Sequence, residues 1–248
     1  MVFLIHSIQG KPRIKLRSYQ EKIINEVHAS QSRRIVIYAP TGAGKTVIAC
    51  RLIRDLLSQG LRILVLVDQV TLIDQTSEKL KAWNILHGFI KSGKPENSAP
   101  QIQVASTQTL SRRHKWKVQP FDVVILDECH TTAFSRAAKT LRSLMPNARH
   151  IGLTATPWRS AKHEGLGDVF DELIKAPLPS DLINMGFLVQ PVYYQLAEVN
   201  LKGVKVKCGD YDLNRLAVVC NTPEQVKLAI SEYQRLAFNR PAIFRCQY

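Results

Sequence analysis

Ile35-Val-Ile-Tyr-Ala-Pro-Thr-Gly-Ala-Gly-Lys-Thr46 is an apolar run, a Gly-rich turn and the opening of a helix in one unbroken stretch. Four consecutive apolar residues, two of them isoleucine, suit a strand buried on both faces. After Thr46, Ile48, Ala49, Leu52, Ile53, Leu56 and Leu57 recur at helical spacing, and Gly60 marks the stop. A strand that feeds a Gly-rich turn and then a helix N-terminus is the setting a phosphate loop requires. Gly42 and Gly44 let backbone N–H groups turn inward, Lys45 carries a positive charge to the β- and γ-phosphates, and Thr46 offers a hydroxyl to Mg²⁺. Pro40, Thr41, Gly42, Ala43, Gly44, Lys45 and Thr46 are therefore expected to line a nucleotide site, while Ala39 stands where the general pattern has Gly.

Other apolar runs extend the pattern on the C-terminal side. They are Ile63–Val67, Ile102–Ala105, Val123–Leu126 and Ile151–Leu153, and amphipathic stretches alternate with them. That order predicts an α/β fold: a central parallel sheet flanked by helices, with ligands at the carboxyl ends of its strands. Ser18-Tyr-Gln-Glu21 reads as a capping box opening a helix, Thr71-Leu-Ile-Asp74 as a weaker one, and Thr222-Pro-Glu-Gln225 as a cap with a first-turn proline. The run Val123–Leu126 ends in Asp127-Glu128-Cys129-His130. Beside a phosphate loop, Asp127 can hold Mg²⁺ through oxygen, and Glu128 can take a proton from an attacking water. An acidic turn after a core strand is the plainer alternative.

The 248 residues carry 34 Lys+Arg against 20 Asp+Glu, a net charge of +14. With 45% hydrophobic and 22% charged residues, a disordered tail, a collagen-like fibre and a small disulfide scaffold are excluded. Residues 1–120 hold 19 basic and 7 acidic side chains, and residues 121–248 hold 15 and 13. A surplus this uneven suggests a polyanionic partner met by the first half. No run approaches the length needed to span a bilayer, and the five cysteines show no CxxC pair. A cytoplasmic protein with reduced thiols and no membrane partner is expected.

Ala39–Thr46, Asp127-Glu-Cys-His130 and Leu153-Thr-Ala-Thr-Pro157 together resemble motifs I, II and III of superfamily 2 helicases. The DECH variant and the leader Leu16-Arg-Ser-Tyr-Gln20 are most similar to the branch that contains type III restriction-enzyme helicase subunits. The resemblance covers roughly residues 14–245. It implies a RecA-like P-loop NTPase domain followed by the incomplete start of a second one. The domain division expected is an ATP-binding domain over 1–195, a linker over 196–222 and the second domain from 223 to 248. ATP and Mg²⁺ are the implied cofactors. Lys45, Asp127 and Glu128 become catalytic, and Thr46 and Asp127 become metal ligands. Gln20 would read the adenine edge with Arg17 nearby. His130 would border the nucleotide and couple its site to the second domain, and Thr154 and Thr156 would link hydrolysis to strand movement. Helix-opening polar residues, a rim histidine and turn-forming hydroxyls are the plainer alternatives for these positions.

The resemblance also implies nucleic-acid contacts, with DNA favoured over RNA. Asp68–Gln75, with Gln69 and Gln75, sits at motif Ia, and Val104–Thr109, with Ser106 and Thr107, at motif Ib. Loops of this kind hold the sugar-phosphate backbone. Arg112-Arg113-His-Lys115-Trp-Lys117 can hold phosphates and stack a base on Trp116, or it can be a solvated loop. Motif VI, whose arginines reach the γ-phosphate, has no counterpart in the sequence, and Arg235, Arg240 and Arg245 sit in no such motif. The expected function is the ATP-binding portion of a DNA-dependent ATPase, helicase or translocase. Its isolated turnover is expected to be weak, with another chain supplying the second RecA-like domain. A non-catalytic module that binds nucleotide and nucleic acid is the alternative.

Overall fold

The computed structural model describes residues 15–91, 99–112, 120–158, 165–194, 201, 204–207 and 210–242. They divide into two compact units that meet between Val189 and Gln190. The first unit contains β1 (Arg34–Tyr38), β2 (Ile63–Val67), β3 (Gly88–Ile90), β4 (Ile102–Ser106), β5 (Val123–Asp127), β6 (Arg149–Thr154) and β7 (Glu172–Lys175). Its helices are α1 (Ser18–Ala29), α2 (Lys45–Ser58), α3 (Val70–Ala82), α4 (Thr107–Ser111), α5 (Cys129–Thr132), α6 (Arg136–Leu144) and α7 (Pro179–Asn184). The strands form a seven-stranded sheet in the order β3-β4-β2-β5-β6-β1-β7, every pairing parallel. This is the RecA-like architecture.

The apolar runs are continuous because both faces of the sheet are covered. Ile35, Ile37, Ile63, Val65, Val67, Val123 and Ile125 face one core with α1, α2 and α3. The alternate residues Val36, Leu64, Leu66, Val124 and Leu126 face the other, with α5 and α6. Period-2 geometry delivers neighbouring residues to opposite layers, so a strand buried twice needs apolar residues at every position. The five strands expected from such runs form. The edge strands β3 and β7 went unmarked because only three and four residues pair and β7 alternates with exposed residues.

The order β5-β6-β1 fixes the site. Tyr38 pairs with Thr154 and Asp127 with Leu153, so the segments after β1, β5 and β6 leave the sheet side by side at its carboxyl edge. Close packing there depends on Gly152. A Cβ at this position would stand 2.7 Å from the Phe170 ring and 2.8 Å from the Cys129 Sγ and Cβ, so Gly is what lets α5 press onto β6.

Helix starts shift slightly from the sequence expectation. The N-cap of α1 is Arg17 rather than Ser18, and Arg17 donates its N–H to Gln20 Oε1 at 3.0 Å. α3 is capped by Gln69, which leaves Thr71 inside its first turn. The second unit holds a short antiparallel pair, β8 (Val206–Lys207) with β9 (Asp210–Tyr211), then α8 (Leu213–Cys220) and α9 (Pro223–Ala237). Thr222 caps α9, accepting from Gln225 N–H at 3.3 Å, as its sequence indicates. α8 was not legible, because its eight residues carry no internal punctuation. Of the strand expected over Pro241–Phe244, residues 243 and 244 lie outside the described residues.

Candidate nucleotide-binding site

Gly42 and Gly44 have φ of +84° and +83°, the left-handed conformation that favours glycine. They aim the loop around into α2, where the first-turn N–H groups of Lys45 and Thr46 have no acceptor within the helix. The N-terminal end of α2 thus presents donors and a positive dipole end to whatever sits in the loop.

Lys45 Nζ donates to Glu128 Oε1 at 2.7 Å. Glu128 itself has φ +46°, unusual for a side chain with a Cβ. Its backbone N–H donates to Asp127 Oδ1 at 3.1 Å, and Thr132 Oγ1 donates to Asp127 O at 2.9 Å. The sharp turn from β5 into α5 puts both carboxylates in the lining of a cavity of about 120 Å³. Lys45, Thr46, Cys50 and Ile53 of α2 and Lys79 of α3 line it with them. Burial lifts the Asp127 carboxyl above the ordinary carboxylate range. The Glu128 carboxylate adds to the lift, while Lys79 and Lys45 work against it. The Cys50 thiol is pushed up to about 11 by burial, so it is no nucleophile.

The leader over the loop is more engaged than its sequence indicated. Gln20 is buried, and its Nε2 donates to Ala43 O at 3.0 Å while its Oε1 caps α1. A Cβ on Gly44 would stand 2.5 Å from Gln20 Nε2. Tyr19 Oη donates to the same Ala43 carbonyl at 2.9 Å, and Arg17 Nη1 donates to Tyr19 Oη at 2.9 Å. The Arg17 guanidinium lies 4.4 Å from the centre of the Phe187 ring, and Leu188 packs against Gly42. Tyr19, Phe187 and Leu188 were missed by sequence reasoning. Their signal was an apolar pair directly after Gly186, far along the chain from the loop it covers.

The residues expected to couple the site lie in one line. His130 Nδ1 is 3.5 Å from Glu128 Oε2 and 3.0 Å from Thr154 Oγ1. Thr154 Oγ1 donates to Thr156 O and accepts from Thr156 N–H, both at 3.0 Å. The candidate nucleic-acid residues divide. Gln69, Gln75 and Arg112 are exposed. Ser106 is buried and caps α4, accepting from Thr109 N–H at 3.1 Å, and Thr107 Oγ1 donates to Asp68 O at 2.8 Å. The Thr107 hydroxyl joins the Ia and Ib segments to each other, while the Ser106 hydroxyl stays within its own segment. Arg113, Lys115 and Lys117 lie outside the described residues.

A family model described as "Type III restriction enzyme, res subunit" matches residues 13–159, more than half of the chain. The chain is 28% identical over 176 residues to a 51.5 kDa protein of Lactococcus phage (isolate 7-9), covering 71% of this chain and 36% of that protein. It is 30% identical over 156 residues to the DNA 3'-5' translocase XPB2 of Sulfurisphaera tokodaii, covering 62% and 34%. Among solved structures it is similar to the UvsW helicase from bacteriophage T4, with a TM-score of 0.57 and 25% identity over 68% of this chain and 62% of that one. The chain spans about a third of the length of these two curated relatives.

Proposed function

We propose a function for a chain that belongs to the family of the type III restriction enzyme res subunit: it is the ATP-binding portion of a DNA-dependent ATPase, helicase or translocase. The observation that carries the reading is the 2.7 Å contact between Lys45 and Glu128 at a cavity that Thr46 and Asp127 also line. The loop lysine and the candidate base are paired with each other. Nucleotide phosphates compete for Lys45, and when it turns to them Glu128 is released to take a proton from water. Binding and activation of the base are then one event. His130 and Thr154 lie next along the same chain of contacts and carry the change toward Thr156.

The Thr46 hydroxyl and the Asp127 carboxylate are hard oxygen donors suited to Mg²⁺. Among the described residues no group of three or more His, Cys, Asp and Glu side chains could hold a metal ion, so water and nucleotide phosphates complete the set. When bound, Mg²⁺ offsets charge on the phosphates in the transition state. The Arg17–Tyr19–Gln20 cluster shapes the base-proximal end of the loop.

DNA is the nucleic acid we favour, supported by the similarity to a DNA translocase and by the positive surplus in residues 1–120. Exposed Gln69, Gln75 and Arg112 are the described residues available to a strand. We take residues 1–195 as the ATP-binding domain, 196–222 as linker and 223–248 as the start of a second RecA-like domain. Assayed by themselves, these 248 residues should hydrolyse slowly and without strand separation, and a RecA-like domain carrying arginines for the γ-phosphate should raise the rate. No helix among the described residues is long and apolar enough to cross a membrane.

The test is a fluorescent ATP analogue titration beside ATPase rates with and without DNA or RNA. Lys45→Ala should weaken nucleotide binding at least about tenfold. Glu128→Gln should keep binding and cut turnover by roughly 10²–10⁴, the range for a positioned base. Unchanged nucleotide binding in Lys45→Ala would refute the reading.

A further inference from the structure

We propose that Lys79 is a positioning residue of the nucleotide site, a resident cation that steadies the Asp127–Glu128 pair and competes with the divalent cation for it. The proposal rests on the reading of this site as a Mg²⁺-nucleotide site and adds a residue from outside its recognised motifs.

Geometry carries the argument. Thr76, Lys79 and Leu80 lie at i, i+3 and i+4 on α3 and share the stripe that faces the cavity. Lys45, Thr46 and Cys50 of α2 line the same cavity, together with Asp127 and Glu128. Among the described residues lining this cavity, Lys79 is thus the one outside the phosphate loop that carries a positive charge. The neighbouring lysines are committed elsewhere: Lys81 pairs with Glu78 at 2.8 Å and Lys91 with Asp74 at 3.1 Å. Lys79 has no hydrogen bond or ion pair among the described residues.

The division of labour follows from charge. Lys45 already sits on Glu128, so Asp127 depends on a second cation when no metal is bound. An ammonium on a flexible four-carbon stem can withdraw to solvent when a stronger cation arrives. It repels that cation as it approaches, so it raises the metal concentration needed to fill the site. A long-range contribution of this kind is modest and weakens with salt.

Two titrations on the full 248-residue chain test the idea. One follows Mn²⁺ alone binding to nucleotide-free protein by electron paramagnetic resonance. The other follows the Mg²⁺ dependence of binding a fluorescent ATP analogue. Lys79→Gln should tighten cation binding in both by about threefold to tenfold at low salt, the effect of removing one solvent-facing charge. Lys79→Arg should stay within about twofold of wild type, and Lys79→Glu should tighten further. Thermal unfolding checks that the variants are folded, as expected for an exposed position. If Lys79→Gln leaves cation binding unchanged or weakens it while Lys45→Ala still abolishes nucleotide binding, Lys79 has no such role and the site reading stands. If the wild-type chain binds no nucleotide, both readings fall together.

Discussion

Asp127 is a side chain that the fold holds at a cost. Its carboxyl is lifted by burial and by the neighbouring Glu128 carboxylate, so the charged form is worse off in the native state than in the unfolded chain. A carboxyl with a raised folded pKa stabilises the native state when protonated. That contribution is present below the unfolded value of about 4 and is lost as pH rises through the folded value. Asp127→Asn removes the charge and keeps the shape. It should therefore raise the Tm at pH 7 by a few degrees, with the gain vanishing near pH 4, while Mg²⁺-dependent nucleotide turnover is lost. Calorimetry at the two pH values checks this, and an equal or lower Tm at pH 7 would count against it. Glu128 shows the same exchange of stability for function in its backbone. A φ of +46° with a Cβ attached is a strained conformation, of a kind that costs on the order of 1–3 kcal/mol and collects at working sites.

The loop over the nucleotide site is held from two distant elements. α1 supplies Arg17, Tyr19 and Gln20, and the segment after α7 supplies Phe187 and Leu188. Ala43 O accepts from both Tyr19 and Gln20, which fixes the turn before a ligand enters. Phe187 acts at one remove, through the guanidinium of Arg17. Phe187→Ala should weaken nucleotide binding about twofold to fivefold, the equivalent of the roughly 0.5–1 kcal/mol of an exposed cation–π contact. Its effect on Tm should be small, because Phe187 is 36% exposed. Binding of an ATP analogue compared with unfolding separates the two, and equal affinity would remove Phe187 from the site.

Across the whole first unit, pH sensitivity should come from the end of the sheet opposite the candidate nucleotide site. His150 on β6 is 3% exposed, and its buried Nδ1 has no hydrogen-bond partner among the described residues. Burial, with the Arg142 and Arg34 charges nearby, brings its pKa down to about 4. A histidine depressed in this way favours the native state above its unfolded value of about 6.5, and that favour is lost as pH falls toward 4. The difference amounts to roughly 3 kcal/mol. Stability should fall steeply over this window in wild type. In His150→Leu the fall should be shallower, and urea unfolding at stepped pH values reads the slope. A slope unchanged by the substitution would assign the acid sensitivity to other groups.

Some of this was written along the chain and some was not. Ile35–Thr46 and Val123–Glu128 were legible because a doubly buried strand must be apolar at every position, and a phosphate loop needs glycines at fixed offsets from one lysine. The short edge strands β3 and β7 lacked that signature, since one flank of each is free of the burial that imposes it. What only the tertiary structure decided is adjacency. The order β5-β6-β1 brings Asp127, Thr154 and Lys45 to one edge, and helix packing turns Gln20 onto Ala43 and puts Lys79 of α3 in the lining of the same cavity as Thr46. Local sequence specifies which residues can form a strand, a cap or a phosphate loop. Which of them meet is set by the strand order and by the packing of helices on both faces of the sheet, and no spacing in the chain encodes that.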